Sequence, residues 1–563
     1  MLARLWDTLR TPSWAARIVA LVGAVTLASS LLPALRGRTE MVYRLVPDVF
    51  PAAATTGAAA VGVILLLLSR ALRRGKFRAW LLATVLALVG AVLHLVKGFD
   101  FEEAMLSLAL FVLLATARER FTARPDPRST RKLVTVLLAG PVVAGGLGWI
   151  WLELDASGEA AGTSTGDRAS HALLGLLGIP GPVQFVRPEQ GDRAAVALVV
   201  LGAAVLFLAV LVALQPADGP HPLDEEDREP LLGLLGRWGH IDSLSYFALR
   251  DDRSVLFSPT GKAAITYQVV GTVSLAAGDP IGDPEAWPGA VTAWLDEARA
   301  FGWVPAVLAA SERGAETFVR AGLDALELGD EAIVHTSEFT LEGRSMRVVR
   351  QAVSRCTRAG LVATCHRVAD LDASTTELVH ARAEEWRDGA VERGFSMALG
   401  RLGDPRDRDA VMVLCRDAAG TLRGMLHLVP WGGDGLSLDL MRRDRDAENG
   451  MVELMVTELV RWAAGRGVRR VSLNFAVFRS VFARGERLGA GPVLRLWRGL
   501  LLWASRFWQI ESLYRANAKY RPEWRPRFVC FRSSTDLPRV GVAALRAEAF
   551  LVAPTWLRRL LPS

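Results

Sequence analysis

Cysteine is scarce in this chain. Four occur in 563 residues, Cys356, Cys365, Cys415 and Cys530, all in the second half. None forms a C-x-x-C pair or has a histidine nearby at ligand spacing, which argues against a disulfide framework and a zinc site and fits a reducing compartment. Long apolar runs are absent beyond about residue 215, where apolar and charged residues alternate as in a globular domain. An acidic excess is absent too. The formal net charge is +7, which favours polyanionic partners such as anionic headgroups or RNA, although basic loops also simply orient membrane proteins.

The apolar content is concentrated before residue 215. Half of the chain is apolar (51%) and the mean hydropathy is +0.25, high for a purely soluble protein. Windows long enough to cross ~30 Å of hydrocarbon run 15–35, 49–69, 79–96, 101–117, 133–152 and 194–215, which predicts six helices. The fourth is the weakest, with Glu102 and Glu103 at its mouth. The first is long, lacks a small-residue cleavage site and is followed by further spans, so it reads as retained rather than as a signal peptide. Arg70, Arg73, Arg74, Lys76 and Arg78 follow span two, and Arg118, Arg120, Arg124, Arg128, Arg131 and Lys132 follow span four. Both loops are expected inside. Acidic loops after spans three and five are expected outside, which leaves the N-terminus and everything from residue 216 in the cytosol. His94, near the end of span three, is expected at an interface in a structural role.

Residues 216–234 open with PADGPHPLDEEDREP, a proline- and acid-rich stretch that reads as a linker. Beyond it, strands at 254–258, 263–270 and 272–277, a helix at 285–301, the strand VPAVLAA and a helix at 312–321 precede a similar series. That series has strands near 411–416, 421–430 and 434–441, a helix at 450–466 and the strand VRRVSLNF. Two β-β-β-α-β units predict the acetyltransferase fold in tandem, over 235–370 and 371–540, followed by a basic amphipathic tail, 541–563. The fold class is therefore an all-α polytopic membrane bundle joined to a cytosolic α/β domain of tandem acetyltransferase-like units. An Arg/Gln-x-x-Gly-x-Gly/Ala loop for coenzyme A pyrophosphate is missing; GDPIGDPEAW and MRRDRDAENG stand in its place, so coenzyme A is not the expected donor.

The stretches SLSYFALRDDRSVLFS, AAGDPIGDPE, RVVRQAVSRCTRAGL, ERGFSMALGR, LSLDLMRRD, NGMVELMVTELVRWAAGRGV and LYRANAKYRPEWRPRFV, in this order beyond residue 235, resemble the phosphatidylglycerol lysyltransferase family. The resemblance implies transfer of an aminoacyl group, lysine in the first instance, from aminoacyl-tRNA to phosphatidylglycerol or another lipid of the bilayer. Such a transfer lowers the membrane's negative charge and underlies resistance to cationic antimicrobial peptides. Aminoacyl-tRNA is then a co-substrate; no cofactor or metal is implied. Assembly into a homo-oligomer is left open. The alternatives are a tRNA-dependent transferase acting on a cell-wall precursor, and a lipid flippase or scaffold without activity.

Exchanging one ester for another needs positioning, a polarised hydroxyl and anion neutralisation. By resemblance Asp439 and Arg442, at the end of a predicted strand, match functional positions: Asp439 for an ammonium or hydroxyl, Arg442 for a phosphate, with a structural ion pair as the alternative. Lys519, Arg521, Arg525 and Arg527, interleaved with Tyr520 and Trp524, suit RNA or a lipid headgroup; a solvated basic face is the alternative. Asn517 stands where family members commonly carry a second lysine. Glu453, on a helix opening with Asn449-Gly450, and Glu511 are candidate partners for the ammonium or for these cations. Arg350 and Arg358 share a helix face, and 493–508 (VLRLWRGLLLWASRFW) suits the lipid interface.

Overall fold

The computed structural model describes residues 2–31, 49–73, 75–98, 100–121, 127–154, 163–213, 222–389, 391–477 and 516–551. Glu511 and the segment 493–508 lie outside them. The chain divides into two compact parts, one of residues 1–218 and one made of nearly all of 219–563.

The N-terminal part is helical: α1 (Leu2–Leu9), α2 (Pro12–Leu31), α3 (Val49–Leu72), α4 (Phe77–Gly98), α5 (Phe101–Thr116), α6 (Pro127–Leu154), α7 (Thr165–Gly175) and α8 (Pro188–Ala213). Each of the six expected spans falls on a helix over its described residues. Among the described residues four stretches are long and apolar enough to cross a membrane, Pro12–Ser30, Phe77–Val96, Lys132–Leu154 and Pro188–Val212. The apolar stretch found in α3, Gly57–Leu72, is shorter, and α5 has 16 residues, a rise of only ~24 Å. Helices α2 and α3 cross where both backbones are bare. A Cβ on Gly23 would lie 2.9 Å from the Gly62 oxygen and one on Gly62 2.8 Å from the Gly23 oxygen, the small-residue contact that lets apolar helices approach. His94 is fully buried and its Nε2 lies 3.4 Å from Thr26 Oγ1, so it ties α4 to α2. The expected outer loop also contains α7, started by a capping box between Ser164 and Asp167.

The C-terminal part begins earlier than the expected linker allows. Helix α9 (Glu225–Trp238) is capped by Asp224, whose carboxylate accepts from the Asp227 backbone N–H. The acids of 225–227 that suggested a linker sit in the helix's first turn, where the helix dipole favours them, and Leu231, Leu234 and Leu235 are buried.

After α9 the chain builds one continuous sheet of β1 (Ser254–Phe257), β2 (Ala263–Val270), β3 (Val273–Ala277), β4 (Ile281–Gly282), β5 (Val304–Ala310), β6 (Asp324–His335), β7 (Val362–Arg367), β8 (Val411–Arg416), β9 (Leu422–Pro430), β10 (Gly435–Arg443), β11 (Arg470–Val477) and β12 (Glu523–Phe531). Its order is β1-β2-β3-β5-β12-β6-β11-β10-β9-β8-β7, with β4 beside β2. The helices are α10 (Trp287–Phe301), α11 (Glu312–Arg320), α12 (Arg347–Arg358), α13 (Ala373–Arg387), α14 (Met451–Ala464) and α15 (Leu537–Ala547). Each repeat has three antiparallel strands, a helix and a parallel strand, as the alternation of its sequence predicts.

The repeats exchange their last strands. β12 pairs with β5 of the first repeat, and β6 pairs with β11 of the second; β6 and β12 also pair with each other. The change of repeat comes before residue 371, because β7 pairs with β8 and Met346, Val349, Cys356 and Leu361 join the core under α14. Residues 541–547 do not form a separate tail. They belong to α15, whose Leu537, Val540 and Ala543 pack on Val273, Leu275 and Val304.

Candidate functional site

The repeats differ where their parallel strands end. In the first, β3 and β5 pair from Val273–Val304 to Ala277–Leu308, the Gly278 N–H continues to the Leu308 oxygen at 2.8 Å, and Asp279 accepts from Ser311 N at 2.8 Å and Ser311 Oγ at 2.5 Å. The gap is closed. In the second, β10 and β11 pair only from Gly435–Arg470 to Ser437–Ser472. Beyond that point β10 follows β9 and β11 follows β6, so the strands part. Each carries an irregularity at the parting, between Leu438 and Leu440 and between Ser472 and Phe475, and Asn474 has φ +80°.

Asp439 is the extra residue of the β10 irregularity. Its side chain is 4% exposed and its two oxygens accept from the Leu399 N–H and from His427 Nδ1, each at 2.6 Å. His427 is fully buried, and its Nε2 has no hydrogen-bond partner among the described residues. The Nδ1 contact with Asp439 leaves Nε2 as the ring nitrogen open to a further partner. A buried polar atom without a partner costs about 1–3 kcal/mol and is uncommon enough to require an explanation.

Sequence reasoning missed His427. The signal was a lone histidine among the apolar residues of LRGMLHLVP, next to Asp439 across the β9–β10 hairpin. Leu426 and Leu428 on either side join the core under α14, so His427 and Asp439 face the other side of the sheet.

A loop caps that side. Arg250 Nη1 donates to the oxygens of Gly394 and Ala398 at 2.8 and 2.7 Å, Arg253 donates to the Phe395 oxygen at 2.5 Å, and Glu548 accepts from the N–H groups of Phe395 and Ser396 at 2.7 and 3.0 Å. Arg253 is 1% exposed and its pKa is pushed down to about 9, by burial first and then by Arg250. These anchors fix the Leu399 N–H on Asp439. Arg442 does not pair with Asp439; its Nη2 meets Glu392 Oε1 at 2.5 Å, and the Arg442 side chain is a quarter exposed.

The α14 face of the sheet carries the second group. Lys519 Nζ meets Glu453 Oε1, in the first turn of α14, at 2.6 Å. This is one of the two partners expected for Glu453. The next residue, Tyr520, is 4% exposed with no partner for its hydroxyl among the described residues, and its pKa is pushed well up by burial and then by Glu453. Asn517 donates to the Leu473 oxygen at 3.2 Å, which satisfies β11 after it leaves β10. His427–Asp439 and Lys519–Glu453 thus lie on opposite faces beside the one parting of the strands.

The remaining residues separate. Arg521 is exposed with φ +55°, and its Nη1 is 3.4 Å from Ser345 Oγ. Arg525 is exposed and paired with Glu523 at 2.8 Å. Asn449 is exposed, and its backbone oxygen accepts from Arg355. Arg527 is 5% exposed. It meets Glu331 Oε2 at 2.5 Å, Asp242 Oδ1 at 2.7 Å and Ser243 Oγ at 2.6 Å. An irregularity between Arg527 and Phe528 turns it inward; there it satisfies buried acids instead of meeting solvent. Burial opposes its charge, but Asp242 and Glu331 hold its pKa above the usual arginine value.

Residues 232–531 match the family described as phosphatidylglycerol lysyltransferase, C-terminal, and residues 8–214 match the one described as the transmembrane region of lysyl-tRNA synthetase. The chain is 44% identical over 562 residues to a lysylphosphatidylglycerol biosynthesis bifunctional protein, LysX, of Mycobacterium avium, a match covering 96% of this chain and 47% of that protein. The protein of the same name from Mycobacterium tuberculosis is 43% identical over 561 residues, with the same coverage. The chain thus spans about half the length of the curated relatives it matches. L-PGS from Bacillus licheniformis shares the fold, with a TM-score of 0.51 and 21% identity over 58% of this chain and 98% of that one. With more than half of its residues matched by that C-terminal model, the chain belongs to the phosphatidylglycerol lysyltransferase family.

Proposed function

We propose that the chain moves an aminoacyl group, lysine first among them, from aminoacyl-tRNA to the terminal glycerol hydroxyl of phosphatidylglycerol on the cytosolic side of a membrane. The observation that carries this reading is the parting of β10 and β11 beside a buried His427–Asp439 pair, in the half of the chain that matches the lysyltransferase family. The basic loops after the second and fourth helices support a cytosolic N-terminus and C-terminal half.

In the reaction the lipid hydroxyl oxygen attacks the ester carbonyl carbon. A new C–O bond forms, the C–O bond to the terminal ribose of the tRNA breaks, and the hydroxyl proton ends on the ribose oxygen. His427 Nε2 takes that proton and returns it to the leaving oxygen, with Asp439 holding the ring in the tautomer that leaves Nε2 free. Lys519, steadied by Glu453, and the Tyr520 hydroxyl are the donors for negative charge developing on the carbonyl oxygen. Arg442 serves the lipid phosphate, its exchangeable partner Glu392 being exposed.

Membranes holding the full chain, incubated with radiolabelled lysyl-, alanyl- and arginyl-tRNA and then extracted, should yield a labelled, ninhydrin-positive lipid with lysyl-tRNA. Ribonuclease should abolish it, and acetyl-CoA should not restore it. Label left entirely on tRNA with all three donors overturns the reading.

A further inference from the structure

Between Arg168 and Arg187 the sequence holds no Asp, Glu, Lys or Arg. Part of this run lies in α7, but α7 has 11 residues, a rise of ~16 Å, about half of what crossing ~30 Å of hydrocarbon requires. Past α7, Gly178, Pro180, Gly181 and Pro182 prevent the helix from continuing. The run is too apolar for an aqueous loop and too short for a span.

Its packing shows where it goes. Helix α7 runs antiparallel to α6. Arg168 meets Glu153 at 2.9 Å, a Cβ on Gly148 would lie 3.4 Å from the Ala172 Cβ, and one on Gly145 would lie 2.6 Å from Leu173 Cδ2. At the end of α7 the Leu176 carbonyl fills the place of a Cβ on Gly202 of α8. Gly145 lies ~14 Å along α6 from Leu154, and Gly202 ~21 Å along α8 from Pro188, near the middle of both apolar stretches. The chain then returns beside α7. Gly181 passes the His171 backbone with no room for a Cβ, the Phe185 and His171 rings meet at 5.6 Å, and a Cβ on Gly191 of α8 would lie 3.3 Å from Phe185.

The turn suits a medium without water. Gly178 takes φ +73°, and the N–H groups of Leu177, Gly178 and Ile179 donate to the oxygens of Leu174, Gly175 and Leu174 at 2.9, 3.0 and 3.1 Å. Pro180 and Pro182 have no N–H to satisfy, as irregular backbone at membrane depth requires. Leu173, Leu174, Leu177 and Ile179 are exposed around this turn. Such a cluster is unfavourable in water and ordinary against acyl chains. Charge returns only at the two ends, with Asp167 and Arg168 on one leg and Arg187 and Glu189 on the other.

We propose that residues 169–186 form a re-entrant hairpin that enters the outer half of the bilayer, turns at Leu176 near its middle and leaves by the face it entered. Leu173, Leu174, Leu177 and Ile179 then contact lipid acyl chains. Entry from the outer face rests on the proposed topology; the hairpin itself does not.

The test uses the full chain with Cys365→Ser, which removes the native thiol that is not fully buried, and adds Thr165→Cys, Leu177→Cys or Arg187→Cys one at a time. In intact cells a membrane-impermeant maleimide should label Thr165→Cys and Arg187→Cys alike. Leu177→Cys should react at least about tenfold more slowly, because the reacting thiolate is disfavoured in hydrocarbon. In liposomes a fluorescent probe on Leu177→Cys should be quenched most by a nitroxide near the methyl end of the acyl chain, and one on Thr165→Cys by a headgroup nitroxide. Ends labelled from opposite faces overturn the proposal in favour of a span. Equal labelling of all three positions, or quenching at Leu177→Cys by the headgroup nitroxide alone, overturns it in favour of an aqueous loop. Ends reached only in inverted vesicles would leave the hairpin standing and reverse the proposed topology.

Discussion

The two repeats of the C-terminal half start from the same strand–helix order and diverge within a few residues of the end of their parallel strands. In the first, Gly278 extends the ladder to Leu308 and Asp279 is clamped on Ser311 at the start of α11. In the second the ladder stops at Ser437–Ser472, Asp439 turns back to His427, and His427 Nε2 and the Tyr520 hydroxyl are left unpaired among the described residues. Closing a strand pair satisfies backbone groups and adds stability; leaving it open exposes backbone and buried polar atoms to a ligand. On the proposed reading, one repeat serves the core and the other the chemistry. The exchanged strands β6 and β12 place the first repeat's stability directly behind the second repeat's site.

The largest effect should come from breaking that junction. Arg527→Met removes the cation between Asp242 and Glu331 while leaving both carboxylates buried, and breaking a buried pair this way costs about 3–5 kcal/mol. Amide hydrogen exchange in the full chain should show loss of protection in β5, β6 and β12 together. Protection lost in β12 alone would mean that the first repeat stands without the exchange. Arg527→Lys should recover only part of the loss, because an ammonium cannot reproduce the guanidinium fork.

The second repeat should instead lose activity without losing structure. His427→Asn can still donate to Asp439 but has nothing at the Nε2 position, so turnover should fall at least about a hundredfold, the range for a lost acid–base group, with KM for lysyl-tRNA and hydrogen exchange little changed. Asp439→Asn should fall by a similar factor, because an amide can present its N–H to Nδ1 and favour the wrong tautomer. Near-parent turnover in folded His427→Asn would limit the histidine to packing.

The membrane helices were legible because a run of some twenty apolar residues has few other uses in a protein, and the strands and helices of both repeats because their periods switch cleanly from 2 to 3.6. The Lys519–Glu453 pairing was among the two partners the sequence named for Glu453, whereas the bond from Asp439 to His427 depends on hairpin register, and register turns on an irregularity that no local pattern announces. Arg527 was misjudged for the same reason. Its neighbours Arg521 and Arg525 are exposed, but its own acids, Asp242 and Glu331, come from 285 and 196 residues away. The linker was misjudged because acids before a leucine run favour a helix start as readily as a disordered stretch.

The smallest effect expected is a pH-dependent one, and it belongs to the first repeat alone. Burial first, and then the neighbouring Asp242, push the Asp279 pKa up to about 7 from an ordinary 3.8, against the pull of Arg527 and Ser311. A carboxyl with a raised folded pKa holds its proton in the folded chain after the unfolded chain has lost it. Its contribution is therefore fully present below pH 3.8, declines as pH rises through the window up to about 7, and is lost above it. The slope for one proton cannot exceed about 1.4 kcal/mol per pH unit. Asp279→Asn keeps an oxygen for the Ser311 N–H and can donate to Ser311 Oγ, but it does not titrate. The variant should therefore gain stability relative to the parent between pH 5 and pH 8, read as slower hydrogen exchange in β3, β5 and α11, while lipid aminoacylation at pH 7 stays near parent. A difference between the two chains that does not change with pH would assign the closed gap to shape alone; a loss of aminoacylation in a folded variant would mean that the first repeat takes part in the chemistry and that the contrast between the repeats is wrong.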